Sequence, residues 1–141
     1  MSNGQLYASV NLLNQKVKFE GTAGEKAPIT IDYIPPIGDG EGYTSLELLL
    51  ISLASCSGTT MVSLLRRMQK AVTGLKVNAS GVRREQHPTG FKTIELQFII
   101  NSKDVTNEDV QKAVQLSEES LCPVWAMVKN NVEITTKFEI I

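Results

Sequence analysis

The chain has 141 residues, with 14 Lys and Arg against 15 Asp and Glu and a formal net charge of −1. That length suits one domain with a true core, and a hydrophobic content of 42% excludes a disordered chain. The arginine pairs Arg66–Arg67 and Arg83–Arg84 are too few to track a nucleic-acid backbone, so no nucleic-acid partner is expected.

The start, Met1-Ser2-Asn3-Gly4-Gln5, lacks the basic and apolar segments of a signal peptide. Tyr7 to Leu12 and Lys16 to Glu20 alternate polar and apolar residues, and Asn14-Gln15 between them suits a hairpin turn. Gly21 to Lys26 is predicted as a second turn, and Ile29 to Tyr33 as a third strand. Pro35 to Gly42 is a loop by composition. It is read as internal to one domain, residues 1–141, because the segment before it is too short to hold its own core.

Thr44 or Ser45 can cap a long helix that runs to about Gln69, with Gly74 as a terminator. Its first half, Leu46 to Cys56, is apolar nearly all round and therefore buried; it is shorter than the roughly 20 residues of a bilayer span. A cytoplasmic protein with no membrane partner follows. Leu75 to Arg84 and Phe91 to Asn101 form a predicted hairpin, with Ile94, Leu96, Phe98 and Ile100 on one face. Thr106 and Asp109 resemble a capping box, and Pro123 interrupts the following helix or begins another. Val132 to Ile140 closes the chain as a strand. The order β-β-β-α-β-β-α-α-β points to an α+β fold rather than a doubly wound parallel sheet.

The chemistry rests on two cysteines. Cys56 lies in the apolar helix, where a thiol stays protonated unless a cation or polar pocket is near. Cys122 lies directly before Pro123, where a helix start offers free amides that favour a thiolate. The pattern alone leaves two readings open, small buried hydrophobes or a redox pair. A zinc site is disfavoured, since there is no C-x-x-C and His87 is the single histidine, placed in a polar turn. Trp125, Met61, Met68 and Met127 read as core residues, and Glu47 as a carboxylate favourable to the helix dipole.

Taken together, Glu47 to Cys56 with Ser57-Gly58-Thr59-Thr60, and Glu118 to Val124 around Cys122, resemble the two cysteine segments of the OsmC/Ohr family. Gly81 to Glu85 and the strand ending Phe98-Ile99-Ile100 fit between them. The resemblance implies an OsmC-like fold: antiparallel sheets wrapped around central helices in an intertwined homodimer. It implies thiol-dependent reduction of organic hydroperoxides, with Cys56 as the peroxidatic and Cys122 as the resolving residue. An external dithiol would be the reductant, and no cofactor is called for. Two family positions are not matched. No arginine precedes Arg66, and Leu46 stands where the family has a glutamate, with Glu47 turned about 100° away. Lys16 or Lys18 could supply the activating cation instead. The mismatch implies slow turnover, and the alternative is a non-enzymatic dimer that binds a small hydrophobic ligand or senses redox state.

Overall fold

The computed structural model describes residues 4–141; Met1, Ser2 and Asn3, part of the stretch read as lacking a leader, lie outside them. The chain divides into two units, Met1–Leu48 and Leu49–Ile141.

In the first unit, β1 (Ala8–Leu12), β2 (Phe19–Ala23) and β3 (Ile29–Ile31) form an antiparallel sheet in that order. Strand β2 begins later than the alternation of Lys16 to Glu20 predicts. The cause is Asn14, whose side-chain oxygen accepts the amides of Lys16 and Lys18 at 3.0 and 3.2 Å and holds a wider turn. Gly21 accordingly sits inside β2, opposite Val10, and the next turn falls at Gly24, whose φ of 60° suits glycine.

The loop after β3 is organised by Asp32, only 2% exposed. Its carboxylate accepts the amides of Tyr33, Asp39 and Glu41 at 2.8, 3.2 and 3.2 Å. Gly38 approaches the Tyr33 carbonyl and the Asp32 carboxylate so closely that a Cβ there would overlap both. Lys16 pairs with Asp39, and Lys18 with Glu41.

Helix α1 (Ser45–Arg67) begins with a reciprocal cap. The Thr44 hydroxyl accepts the Glu47 amide at 3.2 Å, and the Glu47 carboxylate accepts the Thr44 amide at 2.8 Å. Glu47 is therefore a capping residue and not merely a dipole partner. Leu53, Ser57, Met61, Leu64 and Leu65 form the buried stripe of the helix, at spacings of three and four. A Cβ at Gly58 would meet a Val77 methyl at 3.3 Å, so the absence of a side chain lets α1 lie close on the sheet below. The helix stops before Gln69, which takes the left-handed turn at φ 65°; Gly74 lies further on, at a register shift inside a strand.

That strand is β4 (Val72–Arg83), which pairs antiparallel with β5 (Phe91–Ser102) in the predicted hairpin. The predicted inward face of β5, Ile94, Leu96, Phe98 and Ile100, is at most 1% exposed. Strand β6 (Glu133–Ile140) pairs with β5 in parallel, Ile94 opposite Ile134 and Ile100 opposite Ile140. The second sheet is thus mixed, where the family resemblance implied antiparallel sheets. The reason is the long connection, which carries α2 (Asn107–Leu116) and α3 (Pro123–Val128) and returns the chain to run beside β5. The Thr106–Asp109 capping box opens α2 as expected. Trp125 is buried, but Met127 is 85% exposed and fills no core gap, because short α3 turns only one face inward. The α+β class stands.

Burial pushes the Asp32 carboxyl upward, but the amides of Glu41, Tyr33 and Asp39 and the charge of Lys18 outweigh it and hold the group below its ordinary value of 3.8. Its contribution to stability is therefore present above the unfolded value and lost as pH falls through the folded one. Asp32→Asn should lower the thermal midpoint near about pH 7, with the gap to wild type closing in acid. Calorimetry across pH checks this; a constant gap would contradict it.

Candidate redox site

Cys56 sits in the middle of α1, one position before the buried Ser57. Its thiol is partly exposed, whereas Cys122 is 1% exposed, and both are free. Cys122 is placed by the chain around it. After α2 a π-helical turn, Ser117–Leu121, inserts an extra residue, and the Cys122 amide donates to the Ser117 carbonyl at 3.1 Å. Pro123 then forces its predecessor out of helical backbone, and Cys122 is extended at φ −91°, ψ 106°. In that conformation it caps α3: its sulfur accepts the Trp125 amide at 3.4 Å.

These constraints bring Cys122 to Cys56. Burial pushes the Cys56 thiol above its ordinary value of 9.0; its hydrogen bond with the Cys122 side chain pushes the same way, and the Val124 backbone lowers it. The Ser57 hydroxyl also reaches the Cys122 sulfur, at 3.8 Å. The site is thus two neighbouring thiols with a buried hydroxyl at the second. Sulfurs so arranged can be oxidised in turn, the more exposed first, and joined as a disulfide.

The predicted cysteines are therefore adjacent. His87 is not part of this arrangement; it is exposed in the turn between β4 and β5. Lys16 and Lys18 are engaged with Asp39 and Glu41 within the first unit. Sequence reasoning missed Ser57, whose serine in an apolar run gave a cue that burial alone could complete. It also missed a group of carboxylates, Asp32, Asp39 and Glu41, with oxygens within 4.8 Å of one another. Those oxygens serve the loop amides and the two lysines.

The chain belongs to the OsmC-like protein family, which matches residues 38–137. Protein YhfA of Escherichia coli (strain K12) is 28% identical over 138 residues, 98% of this chain and 92% of that protein. A hypothetical protein from Aquifex aeolicus VF5 superposes with a TM-score of 0.86 at 28% identity, over 99% of this chain and 98% of that one. An organic hydroperoxide resistance protein from Elizabethkingia anophelis shares the fold at a TM-score of 0.75 and 14% identity, over 100% of both chains.

Because the thiolate is the nucleophile and the Cys56 thiol is held above 9.0, its reactivity should climb with pH, about tenfold per unit through the neutral range. Alkylation of Cys56 in a Cys122→Ser chain, followed by intact mass, measures this. A plateau already at neutral pH would mean that another group activates the thiol.

Proposed function

We propose that the protein reduces organic hydroperoxides, slowly, through Cys56 and Cys122. The carrying observation is that the Cys122 sulfur lies beside Cys56 in a chain of this family. The Cys56 thiolate attacks the outer peroxide oxygen; the O–O bond breaks, an alkoxide leaves and takes up a proton, and Cys56 becomes a sulfenic acid. Cys122 then displaces the sulfenic oxygen as water and closes the disulfide, which an external dithiol reduces. The raised Cys56 value supports the slow rate.

The working form is a cytoplasmic homodimer of a single OsmC-like domain. In support, only 33% of the most apolar window of α1 is buried within one protomer, and Leu6, Tyr7, Val10 and Leu12 are more than half exposed.

A ligand-binding reading has one observation in its favour. Ile51, Ala54, Ser55 and Gly58 on α1, with Leu75 and Val77 on β4, line an open groove of about 370 Å³. A hydrophobic molecule that co-purifies with the protein while both thiols stay unreactive would select it.

With an excess of dithiol, Cys56→Ser should abolish hydroperoxide consumption. Without dithiol, Cys122→Ser should consume one equivalent and stop at the sulfenic acid. Equal consumption by wild type and Cys56→Ser would overturn the proposal.

A further inference from the structure

The hydroxyls around Cys56 on α1 differ in where they bond. Ser55, Thr59 and Thr60 each donate back to a carbonyl of their own helix, Ser52, Ser55 and Cys56, at 3.1, 2.9 and 3.1 Å. That is the ordinary way for a helical hydroxyl to satisfy itself. Ser57 does otherwise. It is 0% exposed, and its hydroxyl leaves the helix to meet the Cys122 sulfur, 65 residues away in sequence and 3.8 Å in space. The same sulfur accepts the Trp125 amide.

We propose that Ser57 is the positioning residue of the resolving step, donating its hydroxyl hydrogen to the Cys122 sulfur and favouring the thiolate that attacks Cys56. This rests on the two-cysteine reading above. A thiol can either give or take a hydrogen bond, but a thiolate can only accept. Once Cys122 ionises, the Trp125 amide and the Ser57 hydroxyl remain as donors to it. A hydrogen bond made to the charged form favours that form. Without Ser57 the buried sulfur keeps the Trp125 amide as its donor.

In the step itself, the Cys122 sulfur donates an electron pair to the Cys56 sulfur. The S–S bond forms and the S–O bond of the sulfenic acid breaks. The departing hydroxide combines with the proton that Cys122 released, giving water. Ser57 loses no atom; it touches neither the peroxide nor the departing oxygen.

A test that needs no peroxide uses dipyridyl disulfide. The more exposed Cys56 displaces one pyridinethione, and Cys122 then attacks the mixed disulfide, releases the second and closes the protein disulfide. The two releases are read by absorbance as separate phases. In Ser57→Ala the second phase should slow about tenfold near neutral pH, with its rate profile displaced to higher pH and meeting wild type in alkali. An unchanged second phase would overturn the proposal. So would a deficit of the same factor at every pH, which would mark a structural role only, and so would a wild-type chain that shows no second phase. If this test succeeds while organic hydroperoxide leaves Cys56 unoxidised, the peroxidase reading fails and the role of Ser57 in disulfide closure stands.

Discussion

Cys122 lies beside Cys56 because the chain around it leaves little freedom to place it elsewhere. The π-helical turn Ser117–Leu121 ends α2 with one residue too many, and Pro123 denies Cys122 a helical backbone. Here the sulfur caps α3 through the Trp125 amide and meets Cys56 and Ser57 of α1. Trp125, 1% exposed, anchors the same turn of α3 in the core.

The scaffold under α1 serves the same end. Gly58 lets the helix lie against Val77 and Leu75, and the buried stripe from Leu53 to Leu65 fixes its rotation. Fixed rotation matters because consecutive residues diverge by about 100°. Cys56 can therefore stay partly exposed while Ser57 is fully enclosed and directed at the second sulfur. One helix thus presents a partly exposed thiol and an enclosed hydroxyl from adjacent positions. The thiol of raised pKa lies beside a buried sulfur that accepts the Trp125 amide and meets the Ser57 hydroxyl.

Much of this was legible in the sequence. The alternation of Ile94 to Ile100, the Thr106–Asp109 box and the Cys122-Pro123 pair each carry a local physical signal, and each appears where expected. Other features depend on distant partners and had no local signal. Glu47 looked like a dipole carboxylate until its bond to the Thr44 amide was seen. Asn14 shifted β2 through side-chain hydrogen bonds that alternation does not encode. The parallel register of β6 follows from the path of α2 and α3, not from the strand's own pattern. Ser57 is the clearest case, since a serine in an apolar run is informative only once its one buried partner is known.

Whether Cys56 and Cys122 form a working pair is read by intact mass after titration with an organic hydroperoxide. A working pair loses two hydrogens per chain, dependent on both cysteines and reversed by a dithiol. Two unchanged thiols under excess hydroperoxide would contradict it.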